Sequence, residues 1–444
     1  MSFDDSTSAV TPGRPPNILF ILFDKCRTDA VGCYGEKEVH TPNLDALAGR
    51  GVRFANCFTP QALCGPARAS ILTGSYPHAH GLRRNVYPIP TTSVHSNYKE
   101  SIADPFRDPR FRLWDNFPYL LDNAGYATAH IGKWHLGPPN PGFFDYWKSF
   151  NSLLRHWIGE PHQSRYRPDV HTEQGIRFME RHADEPFFLY QSYYAPHEPL
   201  DPPRRFLEHY QGDELAPYYG TVSNLDWNVG RLVETLRRLE ILGNTLIVAT
   251  SDHGRVWGDR PGTEEGLCVA YEGSARVPLI MAHPGLLPQG TVWQSGVSLV
   301  DLMPTFLQAA GIQPVMGVRS YTQRLNLQGE SLLERVSSGH DRWDRPIVIQ
   351  NIPQEPIDGS LYDERALRTE HHKLILRHFD SGAAFRPGEL YDLAEDPGER
   401  NNLYASSSYR QIRQELAGML RDWGQSTEDQ IAVDLADWVL MEKD

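Results

Sequence analysis

Five short, mostly apolar runs constrain this chain most: Ile18 to Phe23, Thr128 to Ile131, Phe187 to Tyr190, Thr245 to Thr250 and Pro278 to Met281. Each has strand length, and runs of this kind fit strands covered on both faces. Helical patterns separate them, among them Pro42 to Gly49 and Val222 to Leu239. The alternation predicts an α/β fold, a large and mostly parallel sheet with helices on both faces. Ligands of such sheets gather beyond the carboxyl ends of the strands. The first run closes on Asp24, an acid at that end.

The composition turns polar between Ser337 and Trp343, and the pattern then changes. Short strand candidates at Ile347 to Gln350 and Lys373 to Leu376, the run ELYDL, and an amphipathic helix from about Tyr409 to Trp423 predict a smaller C-terminal α+β subdomain. The expected organisation is a leader over 1–15, a catalytic domain over 16–338 and the subdomain over 339–444. Val86 to Arg112 and Pro138 to Arg167 read as long insertion loops, and their aromatic stretches Asn97 to Trp114 and Phe143 to Trp157 as candidate pocket walls.

The 43 Lys and Arg against 56 Asp and Glu give a net charge of −13. That balance excludes a sequence-independent nucleic-acid binder, which needs a broad basic face. An anionic substrate would have to be captured by positive charge concentrated in a pocket. The polar start MSFDDSTSAVTPGRPP has no charged-then-apolar signal pattern, and five scattered cysteines lack paired metal-type spacing. Together they predict a cytoplasmic protein without a membrane anchor. Cys26, Cys33, Cys57 and Cys268 read as small buried apolar groups.

Four motifs carry chemistry: CGPARASILTG from Cys64, GKWHLG from Gly132, YAPHEP from Tyr194 and TSDHG from Thr250. Cys64 is placed just before a helix, with Arg68 at i+4 on the same face. Asp24 and the pair Asp252 and His253 each follow an apolar strand, where converging carboxylates suit a hard divalent cation. Lys133 and His135 alternate along an extended segment and so share a face. His197 has an ordinary imidazole pKa suited to general acid work.

Cys-x-Pro-x-Arg followed by x-x-x-Leu-Thr-Gly resembles the signature of sulfatases, in which a maturation enzyme oxidises the Cys to formylglycine. The other motifs follow in that family's order, and YEGSARVPL (Tyr271 to Leu279) and ELYDLAEDPGERNNL (Glu389 to Leu403) extend the resemblance. It implies an alkaline phosphatase-like fold and hydrolysis of a small sulfate ester. One hydroxyl of a hydrated formylglycine at position 64 would attack sulfur, and the second would later release sulfate. It implies Arg68 holding that hydrate, Lys133 bridging the nucleophile and sulfate oxygens, His135 orienting the second hydroxyl, His197 contacting the sulfate and protonating the leaving oxygen, and a metal on Asp24, Cys64, Asp252 and His253. Calcium is the expected ion, with manganese or magnesium as alternatives. The implied partner is a formylglycine-generating enzyme, and a homo-oligomer is compatible with the C-terminal helix.

Two positions depart from the family pattern. Lys25 stands where many sulfatases carry a second Asp, and Leu267 where a substrate-clamping Lys is usual, five residues before the Glu of the YEG segment. Lys25 is therefore a candidate to supply the missing positive charge to the substrate. CGPARAS and the Asp-His pair also resemble phosphonate monoester hydrolases and choline sulfatases. Phosphonate or phosphodiester hydrolysis is the alternative activity, and a catalytically silent binding protein the remote one.

Overall fold

The computed structural model describes residues 14–35, 38–87, 99–101, 104–137, 139–159, 164–258, 269–313, 327–352, 362–379 and 388–442. Its strands in chain order are β1 (Asn17–Phe23), β2 (Val52–Phe58), β3 (Asn85–Tyr87), β4 (Lys99–Ser101), β5 (Ala127–Lys133), β6 (Tyr146–Phe150), β7 (Trp157–Ile158), β8 (Arg165–Tyr166), β9 (Phe187–Ser192), β10 (Thr245–Ser251), β11 (Arg276–Ala282), β12 (Thr291–Trp293) and β13 (Val297–Ser298). Beyond them come β14 (Ile347–Asn351), β15 (Tyr362–Arg368), β16 (His372–Phe379) and β17 (Glu389–Asp392).

The main sheet runs β12-β2-β11-β10-β1-β9-β5-β6, with β13 also on β2. Pairing is parallel from β10 across to β6, and β11 alone runs against its neighbours β10 and β2. The sheet is thus mixed and mostly parallel, as the alternating pattern predicts. β1 lies near its middle and is buried along its whole length. Its even positions, Ile18, Phe20 and Leu22, enter one core, and Leu19, Ile21 and Phe23 enter the other. A strand alternates its side chains between faces, so both faces of β1 must be apolar, and the run NILFILF meets that demand.

Helices cover both faces. Helix Pro42–Gly49 begins with Pro at its first position, and the carboxylate of Asp226 on helix Ala216–Arg238 accepts from the amides of Asn43 and Leu44. This satisfies amide groups that a helix start leaves without partners. Helix Cys64–Thr73 is buried at every residue and stops at Gly74, whose φ of 61° suits a residue without Cβ. The sequence places Cys64 before this helix, whereas the structure makes it the first helical residue.

The second sheet, β14-β15-β16-β17, is an antiparallel meander. Helices Arg410–Thr427 and Gln430–Met441 bury Leu416, Leu420, Leu435 and Val439 against Val348, Leu374 and Leu390. Ile347, Ile349, Ala366 and Ile375 pack with Phe58, Ala270 and Ala275 of the larger part.

Two expectations change. Residues 138–167 are not one loop, because Tyr146–Phe150 forms the parallel edge strand β6 and β7 pairs with β8. YWKSF is half-buried on an edge and lacks the continuous apolar run of a central strand. Several aromatic residues of the expected pocket walls are core: Phe106, Phe143 and Phe144 gather about Trp134, which is 1% exposed and stacks on Phe106 at 5.9 Å. Residues 88–98, 102–103, 138 and 160–163 of these stretches lie outside the described residues, as do Leu267 and Cys268. Cys26 and Cys57 are buried, and Cys33 is partly so. Among the described residues no helix is long and apolar enough to cross a membrane.

Candidate active site

Four neighbouring parallel strands deliver their carboxyl ends to one place. Phe23 is level with Ser251 and Gly132 with Ser192. The residues that follow are therefore brought side by side: Asp24 and Lys25 after β1, Asp252 and His253 after β10, Ser192 and then His197 from β9, and Lys133 to His135 from β5. The first turn of helix Cys64–Thr73 faces the same point, placing Cys64 at the positive end of a helix.

Arg68 is the hub. It is 1% exposed and donates from Nε to Asp252 Oδ2 and from Nη2 to Asp24 Oδ2, both at 2.9 Å. Its Nη1 donates to the Lys133 carbonyl at 2.6 Å and to Ser192 Oγ at 2.8 Å. The fork geometry of a guanidinium suits several fixed acceptors at once. Lys133 Nζ donates to Asp24 Oδ2 at 2.5 Å and lies 3.2 Å from Cys64 Sγ, above the ring of Tyr194. His253 Nε2 is also 3.2 Å from Cys64 Sγ, while its Nδ1 engages the Gly254 carbonyl at 2.8 Å. His253 and Lys25 amides both donate to Asp252 Oδ1.

Asp24, Cys64, Asp252 and His253 each offer a donor atom within 4.8 Å of the others, and all four are buried. Burial works against the ionised form of Asp24, but Lys133, His197, Arg68 and His253 outweigh it and hold its pKa well below the usual carboxylate range. Burial also works against the imidazolium of His253, yet Asp252, Cys64 and Asp24 raise its pKa to about 9. The cluster thus favours additional positive charge at its centre. Two carboxylates, an imidazole nitrogen and the group at position 64 form a donor set that fits a divalent cation.

Lys133 and His135 do approach the same cluster, but not by strand alternation. β5 ends at Lys133, and His135 has φ 60°. This left-handed turn places the buried His135 carbonyl against Gly65, where a Cβ would lie 3.4 Å from it. Burial first, and then Lys133 and Arg68, push the His135 pKa well below that of a free imidazole. Lys25 also has φ above zero, at 65°, and its ammonium pairs with Glu198 Oε2 at 2.9 Å. The sequence reading that Lys25 offers its charge to substrate thus meets a carboxylate already engaged with it. Non-glycine residues in this region cost about 1–3 kcal/mol each and collect at functional sites.

His197 stacks on Tyr194 at 4.5 Å, and its Nδ1 lies 3.0 Å from the Glu198 carbonyl and 3.3 Å from Glu198 Oε2. Burial lowers its pKa to about 3, with Lys133 and Lys25 acting the same way and Asp24 and Glu198 opposing. A bound anion would act on the side of the carboxylates.

Three participants are missing from the sequence reading: Ser192, Glu198 and Arg255. Arg255 is 2% exposed and forms an ion pair with Glu198 Oε1. Both Glu198 and Arg255 adjoin motif residues, inside YAPHEP and just after TSDHG, and only that adjacency signals them. The YEG segment borders the site, its Gly273 and Ser274 carbonyls accepting from the Arg255 and Gly254 amides at 2.8 Å. Lys373 joins Glu272 at 2.7 Å and Glu399 at 2.8 Å, tying the YEG segment to the DPGE turn. Arg276 anchors to the Ala55 carbonyl.

The sulfatase family model matches residues 16–312, and the C-terminal model of N-sulphoglucosamine sulphohydrolase matches residues 268–426. N-acetylglucosamine-6-O-sulfatase of Bacteroides thetaiotaomicron is 27% identical over 94% of this chain and 87% of its own. A structure solved with its substrate D-glucosamine-2-N,6-O-disulfate superposes with TM-score 0.74 at 25% identity, covering 96% of this chain and 99% of the other. Phosphonate monoester hydrolase of Agrobacterium radiobacter shares the fold, with TM-score 0.72 at 22% identity over 93% and 96% of the two chains.

Proposed function

The chain belongs to the sulfatase family and hydrolyses sulfate esters, and we propose that it does so with a formylglycine made from Cys64 and a divalent cation held by Asp24, Asp252 and His253. The observation that carries this reading is the position of Cys64 Sγ, 3.2 Å from both Lys133 Nζ and His253 Nε2 at a helix start. A hydrated aldehyde there supplies a nucleophilic hydroxyl, and a cation on the adjacent donors supplies charge to polarise it and the sulfate.

The chain's own residues do the rest. Arg68 holds both carboxylates in register and is itself fixed by Ser192 and the Lys133 carbonyl. Lys133 faces Asp24 and position 64 together, so its ammonium can bridge the nucleophile and a sulfate oxygen. His135 lies within the field of the same charges and orients the group at 64. His197 carries the proton for the leaving oxygen. The net charge of −13 is no obstacle, because the cations are confined to the pocket.

The relatives favour the 6-sulfate of an amino sugar as the ester, and an Asp, Asp, His donor set suits calcium as the ion, with manganese or magnesium as alternatives. A formylglycine-generating enzyme is the required partner. Phosphonate monoester hydrolysis is the second reading, favoured by the imidazole in the donor set and the shared fold of that hydrolase.

Intact-mass analysis after expression with a maturation enzyme is expected to show a loss of about 18 Da, the bookkeeping of Cys oxidation to the aldehyde. Rates on aryl sulfate, glucosamine 6-sulfate and phenyl phosphonate esters are compared on the same sample. An unmodified Cys64 with full sulfate turnover refutes the nucleophile, and faster phosphonate turnover selects the second reading.

A further inference from the structure

On the reading above, His197 donates a proton to the leaving alcohol oxygen, and a general acid needs its ring fixed and its second nitrogen held by a partner. Glu198 is built for that task. Its Oε2 lies 3.3 Å from His197 Nδ1, and its own carbonyl 3.0 Å from the same atom. Two cations in turn fix the carboxylate: Lys25 on Oε2 at 2.9 Å and Arg255 on Oε1. Both cations are buried, at 5% and 2% exposure, whereas the Glu198 side chain is 37% exposed. Burial raises the Glu198 pKa, but Lys25 and Arg255 outweigh it and bring it down to about 2. The group therefore remains an acceptor at any working pH.

We propose that Glu198, its carboxylate clamped by Lys25 and Arg255, is the positioning residue of the general acid: its carbonyl accepts from His197 Nδ1 and its carboxylate lies against the same atom, so that Nε2 carries the proton given to the leaving group. This assigns a role to Lys25 that differs from substrate capture. Its left-handed backbone carries its amide to Asp252 and its ammonium to Glu198, linking the carboxylate cluster to the acid. In the step, a hydroxyl oxygen of the hydrated aldehyde at position 64 would bond to sulfur and release its own proton to solvent. The S–O bond to the alcohol breaks, its electron pair leaves with the alcohol oxygen, and that oxygen takes the Nε2 proton. Imidazolium returns to imidazole, and the Nδ1 proton stays with the ring beside Glu198.

The test is a series of aryl sulfates spanning leaving groups from 4-nitrophenol to phenol, extended to an alkyl sulfate. Wild type, Glu198→Gln and Glu198→Asp are compared by kcat/KM, with melting curves for each. A general acid matters more as the leaving group becomes more basic, and such catalysis is worth about 10²–10⁴-fold. The expected result is a loss that grows at least tenfold from the nitrophenyl to the phenyl ester in either variant that folds. In a His197→Ala background, Glu198→Gln is expected to add less than threefold, since residues acting as one unit are not additive. A loss that is uniform across the series, or full additivity with His197→Ala, overturns the proposal. Absence of sulfate release from any ester by the wild type refutes the sulfatase reading instead.

Discussion

Replacing Arg68 by Met removes a guanidinium that is 1% exposed, along with four hydrogen bonds to three side chains and one carbonyl at four different strand ends. Asp24 retains Lys133 as a partner, but Asp252 is left with backbone amides and His253. Breaking a buried ion pair by deleting one member costs about 3–5 kcal/mol, because the surviving charge stays buried. Unfolding entropy near 2.1 cal/mol/K per residue makes each kcal/mol worth about 1 °C for a chain of this length unfolding as one unit. Calorimetry of Arg68→Met is expected to show a Tm lower by about 3–5 °C, with denaturant midpoints moving the same way. Arg68→Lys keeps the charge but cannot span Asp24, Asp252 and Ser192 together, so it should fall between the two. A Met variant within about 1 kcal/mol of wild type would show that Arg68 is not the element joining the strand ends, and the account of the site's rigidity would fail.

Gly132→Ala should be destabilising by about 3 kcal/mol or more, since φ is +107° and a Cβ would lie 1.8 Å from the Ser192 carbonyl; a folded variant should also lose turnover through displaced Lys133, read as kcat with a melting curve. For Asp429, burial opposes the carboxylate but Arg365 outweighs it, through contacts at 2.6 and 3.0 Å, and lowers its pKa. A folded-state pKa below the unfolded value stabilises fully above about 3.9 and is lost as pH falls through the lowered value. Denaturant titrations from pH 7 to pH 3 should therefore show a shallower acid loss in Asp429→Asn than in wild type, and equal slopes would contradict the ion pair's role. Dialysis against a chelator should abolish sulfate release and lower Tm, with calcium or manganese restoring both; full activity after exhaustive chelation would remove the cation from the mechanism.

Much of the chemistry is legible in the sequence. Asp24, Cys64, Lys133, Asp252 and His253 sit in short motifs, and the runs that became β1, β9 and β10 carry their own signature in unbroken apolar residues. Strand propensity and apolar periodicity are local, so the chain displays them. Edge strand β6 escaped because a half-exposed strand need not be apolar. The direction of β11 escaped because pairing sense leaves no trace in the run RVPLI.

Which ends meet is another matter. The order β10-β1-β9-β5 brings Asp252, Asp24, Ser192 and Lys133 together from positions 228 residues apart at the extremes, and only register across the sheet fixes that. Lys25 shows the difference most clearly. By sequence it was a lone cation beside a metal ligand, available to a substrate. A left-handed φ and the arrival of Glu198 from the turn after β9 direct its charge to a carboxylate beside His197. The residues and their chemical types belong to the sequence, while the pairing of their charges is decided by long-range packing, since Coulomb and hydrogen-bond energies depend on distances that only the fold sets.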